Sequence, residues 1–214
     1  MKNHLALVEK TVGFATTLLA VFLFTACFGI GRSVVNIVHY ALEYPPPPAA
    51  GTAPASSAIR VERFSANAEV ALTEMSRRVR PYVRDVYPRA RWRAAPADMI
   101  TALIVRDLRE AGIYQAVLGP EEGGEARFDI EGRVEEFIRD GVGAEKPTAS
   151  LVVAVIIWDQ GAEGERRVAL QKTYRLRETL AADDPAEFAR AMSKAVEAFS
   201  RDLLRDLAAM KRTP

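Results

Sequence analysis

The 214 residues carry 29 Lys plus Arg against 28 Asp plus Glu, and 49% are hydrophobic. That is too apolar for a disordered chain and too neutral for the net field that draws a protein to nucleic acid. With a single cysteine there is no internal disulfide, so the fold has to rest on its core alone.

The chain starts with Lys2, Glu9 and Lys10, then an uncharged apolar run from Thr11 that reaches Ala26 just before Cys27. A basic start, an apolar stretch and small residues before a processing point are the parts of an export signal. Leu23-Phe24-Thr25-Ala26-Cys27 resembles a bacterial lipobox, whose cysteine is acylated and becomes the first mature residue. A second reading stays open. From Thr11 to Ile30 no residue is charged, a length that spans a bilayer as a helix, so the segment also fits an uncleaved anchor. An ordinary cleaved signal is the third. All three export the remainder of the chain, provided that Lys2 and Lys10 stay inside. We expect a signal segment at 1–26, a tether at 27–36 and one domain at 37–210. Removing Lys2, Lys10 and Glu9 leaves 27 basic and 27 acidic residues in that exported part.

Alternation of Val38, Tyr40, Leu42 and Tyr44 predicts a first strand within 34–44. Pro45 to Pro48 favour a polyproline II rod, and the Ala/Gly/Ser-rich residues to Ser57 read as a flexible loop, giving a Pro-rich loop over 45–57. Ile59, Val61 and Phe64 mark a second strand. Val79–Tyr87 reads as a third, with Pro81 confining it to an edge or a bulge. Pro96–Ala111 reads as a helix: Pro96 suits its first position, Asp98 its first turn and Gly112 its C-cap. Its apolar face is Ile100, Leu103, Ile104, Leu108 and Ala111. Tyr114–Leu118 is a short strand. Ala126–Arg139 alternates until Phe137 breaks the phase, which places a bulge near Glu135-Glu136. Leu151–Trp158 is apolar throughout and suits a central strand covered on both faces. Its second face has to be covered by something, which admits self-association into a homo-oligomer. Val168, Leu170, Tyr174 and Leu176 set a further strand, and short turns make these three an antiparallel meander. The last helix starts at Pro185 behind Asp184, with Glu187 completing a capping box, and buries Phe188, Met192, Ala195, Phe199, Leu203, Leu207 and Met210. The whole predicts an α+β fold: a mostly antiparallel sheet with two main helices packed on one face.

Catalytic material is thin. After the signal segment only His39 remains to serve a nucleophile, and its strand position reads as structural. Phosphate loops, metal-ligand spacings and nucleophile elbows do not occur, so we expect no catalytic residue, no metal and no cofactor. Glu121/Glu122 and Asp183/Asp184 read as turn and cap residues. Glu135 and Glu136 are neighbours in a strand and point to opposite faces. One concentration stands out. Arg77, Arg78, Arg80, Arg84, Arg89, Arg91 and Arg93 are interleaved with Tyr82, Tyr87 and Trp92, and only Asp85 offsets them. Two roles fit. Either these arginines and Trp92 contact anionic lipid headgroups or an acidic partner, or they form a solvated edge that pairs with the acidic strand of Asp129, Glu131 and Glu135.

Several segments taken in order carry a resemblance. They are Cys27 at the lipobox, His39-Tyr40-Ala41-Leu42-Glu43-Tyr44-Pro45, Ile59-Arg60-Val61-Glu62-Arg63-Phe64 and Arg91-Trp92-Arg93-Ala94-Ala95-Pro96. Leu108–Val117 and Phe128–Phe137 come next, and then the long last helix. Together they resemble the ABC-type transport auxiliary lipoprotein family, accessory lipoproteins of lipid-transport systems built around mammalian-cell-entry (MCE) domain proteins. The resemblance implies a non-catalytic subunit in the periplasm, anchored through acyl chains such as palmitate on Cys27. Its partners would be an MCE-domain protein and an ABC permease and ATPase complex. Phe28, in place of Asp after the lipidated cysteine, fits sorting to the outer membrane; an uncleaved N-terminal helix would instead hold the protein at the inner membrane. An envelope scaffold lipoprotein that binds no lipid cargo is the alternative role.

Overall fold

The computed structural model describes residues 36–49, 54–143, 145–161 and 165–210. The expected signal segment 1–26, Cys27 and all of the expected tether except Asn36 lie outside the described residues, as do 50–53 of the Pro-rich loop.

One long strand organises everything else. β7 (Phe128–Asp140) pairs along its whole length with β8 (Thr148–Asp159), and β8 in turn with β9 (Arg167–Thr179), both antiparallel. This is the expected meander, and the register shift between Val134 and Glu136 is the expected bulge. The other edge of β7 is shared between short strands, all parallel to it. β2 (Ala55–Val61) takes the first part, β3 (Ser65–Ala66) the middle and β4 (Glu74–Arg80) the end. Beyond β2 lies β6 (Tyr114–Leu118), also parallel. Beyond β4 lies β5 (Val83–Trp92), antiparallel, and then β1 (Val38–Tyr40), parallel to β5. The fold is therefore α+β, and its sheet is mixed rather than purely antiparallel. The long ladders are antiparallel because short turns join those strands; the parallel ones need the longer crossovers.

α1 (Pro96–Ala111) and α2 (Pro185–Met210) cover one face of this sheet. On that face β8 buries Leu151, Val153, Val155 and Ile157, with Ile130, Val134 and Phe137 of β7 beside them. Phe188, Met192, Phe199, Leu203 and Leu207 of α2 and Ile100, Ile104 and Leu108 of α1 close over them. Gly132 also faces this layer. A Cβ there would meet the Phe64 ring at 2.4 Å, so glycine is what lets Phe64 lie flat on the strand.

Four expectations change. Val152, Ala154, Ile156 and Trp158 on the open face of β8 are only half-buried among the described residues, where full cover was expected. Their flanks carry Glu131, Arg133, Gln171 and Arg175 in register, and Arg166 stacks 4.2 Å over the Trp158 ring while pairing with Glu131. Ala55–Ser57, expected in a flexible loop, are strand, because β6 offers them a parallel edge. The expected Val79–Tyr87 strand is instead a hairpin: Pro81 and Tyr82 make its turn, and the proline that cannot donate to a ladder ends β4. Glu187 does not close a capping box. The Glu187 N–H donates to Asp184 Oδ1 at 2.9 Å, but the Glu187 carboxylate accepts from the Ala181 N–H instead, at 2.7 Å. With Arg190 as the first cause and that N–H the second, its carboxyl falls to about 2. The first helix agrees with expectation, including Gly112 at φ 61 as its C-cap, except that Leu103 is half-buried and Val105 and Asp107 are buried in addition.

Candidate functional site

The arginine-rich stretch folds into the β4–β5 hairpin and the strand edge next to β1. Its parts separate sharply. Trp92 is only 1% exposed; its ring packs edge-on against Phe137 at 5.1 Å and Phe188 at 5.4 Å. It belongs to the core and leaves the contact surface. Arg78 holds Asp140 through a two-pronged ion pair, with Glu136 4.0 Å away. Burial alone would raise the Asp140 carboxyl; Arg78 and the Val142 N–H outweigh it and keep it below the usual range. Arg77 binds Asp85 at 2.6 Å and lies 5.0 Å from the Tyr87 ring. Tyr87 in turn donates to Asp183, and burial, followed by the charge of Asp183, pushes its hydroxyl up to about 12. Arg84 faces Glu69 at 3.5 Å, and Arg91 faces Glu74 at 3.7 Å while donating to the carbonyls of Tyr87 and Ala90.

The arginines do pair, but among the described ion pairs none does so with Asp129, Glu131 or Glu135 as expected; their carboxylates are Glu69, Glu74, Asp85, Glu136 and Asp140. Asp129 and Glu131 sit beside Arg60 and Arg166. Among the described ion pairs, Arg80, Arg89 and Arg93 have no acidic partner, and all three are exposed. They are the charge that the hairpin leaves to solvent or to a partner. A cleft of about 420 Å³ opens elsewhere on the hairpin, lined by Val70, Val86, Phe137 and Ile138 with Glu69, Glu135 and Arg84, and by none of these three arginines.

The hairpin ends in the most exposed aromatic side chain of the described residues. Tyr82 is 102% exposed and has φ 64, in the left-handed region that a non-glycine residue seldom takes. Pro81 is exposed beside it, and Val79 is 42% exposed.

A second polar cluster joins three segments far apart in sequence. Asp107 of α1 is buried at 1% exposure. It accepts from the Tyr44 hydroxyl at 2.7 Å, the Ser200 hydroxyl of α2 at 2.5 Å and Arg106 Nε at 2.8 Å. The Arg106 guanidinium stacks 4.6 Å over the Tyr44 ring and donates to the Tyr44 carbonyl. Burial first, then the Asp107 charge, holds the Tyr44 proton firmly in place. Glu43 N–H donates to Ser193 of α2, and Pro45–Pro48 then line a cleft with Glu197 and Arg201. Both hydroxyls donate their hydrogen bonds to the same buried carboxylate. The cluster is a clasp that ties the start of the Pro-rich segment to both helices. Asp107 reads in the sequence as one more charged helix residue; only the Tyr44 and Ser200 hydroxyls brought in from other elements give it a role.

His39 is exposed on the edge strand β1, in register with Arg91. Glu122 binds Arg109 and the Gly119 N–H and closes a turn, while Glu121 binds Arg63. Among the described residues no group of three His, Cys, Asp or Glu side chains converges as for a metal ion, and no helix is long and apolar enough to cross a membrane.

The sequence model of the family described as ABC-type transport auxiliary lipoprotein component matches residues 40–203. No curated protein matches the chain. Among solved structures, the fold is similar to that of protein XCC0632 from Xanthomonas campestris, with a TM-score of 0.72 at 20% identity, covering 81% of this chain and 95% of that one. An uncharacterized protein gives a TM-score of 0.59 at 11% identity over 80% of this chain and 99% of its own. The hypothetical protein CT253 from Chlamydia trachomatis gives 0.52 at 12% identity over 75% and 100%. At these identities the likeness is one of fold.

Proposed function

The chain belongs to the ABC-type transport auxiliary lipoprotein family, and from that premise we propose that it is a non-catalytic accessory subunit of an envelope transport machine that moves lipids or other hydrophobic compounds between membranes. In this reading acyl chains on Cys27 fasten it to the periplasmic face of the outer membrane, and it docks on an MCE-domain protein that works with an ABC permease and ATPase. The observation that carries the reading is the family match over 40–203, which takes in the clasped Tyr44 segment, the arginine hairpin and both helices. The exposed Arg80, Arg89 and Arg93 supply the positive charge for anionic lipid or an acidic partner surface. The half-buried apolar stripe of β8 is where copies of the chain would associate.

Two measurements test this. Mass spectrometry of the native N-terminus should find an acylated Cys27 as the first residue; a chain still carrying residues 1–26 without acyl groups would overturn the lipoprotein anchor. Affinity purification from envelope membranes should bring down an MCE-domain protein together with the permease and ATPase. Recovery without them, and unchanged transport on deletion, would favour a scaffold lipoprotein.

A further inference from the structure

β1 runs parallel to β5, with Val38 beside Ala90 and Tyr40 beside Trp92. β5 itself runs from the hairpin tip at Val83 to Trp92. The polypeptide therefore comes into β1 from the tip side, and Ile37 and Val38, 42% and 47% exposed, face that approach. The tip lies roughly 25 Å further along β5 at most, at 3.3 Å per residue. Phe28 to Asn36 spans at most roughly 30 Å when extended. The chain thus enters the domain on the side to which the hairpin points, and the extended length of the residues before it is enough to reach the tip.

The tip has the chemistry of a bilayer interface. Tyrosine is favoured at headgroup depth, where its ring is apolar and its hydroxyl wet, and arginine reaches phosphates from an apolar stem. Tyr82, Pro81 and Val79 are exposed together, with Arg80 between them. The acids nearest the tip do not oppose it, because Asp85 is bound by Arg77 and Asp140 by Arg78. Glu145 and Lys146, exposed in the β7–β8 loop at the same end, offset each other. Positive φ suits Gly or Asn at a turn, and nothing in the domain compensates a fully exposed tyrosine there.

We propose that the Val79–Val83 tip is a second membrane contact, with Tyr82 and Val79 in the interfacial layer of the bilayer that holds the N-terminal anchor and Arg80 on its phosphates. The contact presupposes the N-terminal attachment proposed above. The test uses the full chain in vesicles of phosphatidylethanolamine and phosphatidylglycerol doped with brominated phosphatidylcholine. Tyr82→Trp, Val79→Trp and, as a control at the opposite end of the sheet, Val168→Trp each add one fluorophore. Emission of the parent chain, from Trp92 and Trp158, is subtracted. The tryptophans at 82 and 79 should blue-shift and lose emission to the bromines, and the one at 168 should do neither. A chain that floats with the vesicles, yet whose tip tryptophans are quenched no more than the control, overturns the contact and leaves the anchor standing; the tip is then a surface for a protein partner. A chain that stays in the soluble fraction overturns the anchor, and the contact falls with it.

Discussion

The meander with α2 and the hairpin end with β1 are built on opposite principles. β7, β8 and β9 exchange ladders of twelve or more residues, and Ile130, Val134 and Phe137 of β7, Leu151, Val153, Val155 and Ile157 on the inner face of β8 and Tyr174 of β9 are buried with Phe188 and Phe199. β1 pairs over three residues, β5 leaves its partner between Val86 and Arg91 around Pro88, and ion pairs line the exposed side of the hairpin. The first region derives its stability from apolar area, which does not titrate and is not screened as ion pairs are. The second buries Met75, Ala90 and Trp92 on one face and carries on the other charge pairs near the surface, each of which adds little and is screened. The meander therefore supports the fold, and the hairpin is free to carry residues chosen for something other than stability.

Substitutions on the two sides should differ accordingly. Phe199→Ala empties a fully buried site that packs edge-on against Tyr174 at 5.1 Å, and should cost about 3–5 kcal/mol in urea unfolding. A loss below 1 kcal/mol there would mean that the meander is not the stabilising half. Asp107→Ala leaves the Tyr44 and Ser200 hydroxyls without their acceptor and should cost about 1–3 kcal/mol. It should also speed proteolysis within 44–49, which the clasp holds to the helices. Asp140→Asn should cost about 1 kcal/mol at neutral pH, since the pair is only partly shielded from solvent. Its pH dependence has a definite sign. The folded carboxyl titrates below its ordinary 3.8, so the wild type gains from the pair above that value and loses the gain as pH falls through the depressed one. Wild type and variant should thus converge in acid; a gap that widens below pH 3.8 would refute the assignment. The smallest effect is of opposite sign. Tyr82→Gly suits φ 64 and should leave stability unchanged or raise it by about 1 kcal/mol. Destabilisation by as much as Asp140→Asn would show that the tip serves the fold.

Both helices, the meander, the bulge at Glu135 and the Gly112 cap were legible in the sequence, because each is set by local periodicity or by one residue's backbone preference. The arginine cluster was legible as composition but not as a site. Seven arginines in a row of mixed strand and turn residues look alike in sequence, yet four have carboxylates within 4 Å and three do not. Trp92 looked like part of that surface because alternation is broken at Pro88, which hides the phase that turns it inward.

Local pattern was enough for the class of the fold, both helices and the meander, since repeating apolar spacing and turn residues act over a few neighbours; the family was carried by the resemblance of several segments taken in order. The tertiary structure alone decided that the β7 edge is divided among three parallel strands, that Asp107 gathers Tyr44 and Ser200, and that the chain enters β1 from the side of the hairpin tip. Those are relations between residues tens of positions apart, and nothing in a local pattern encodes which distant partner arrives.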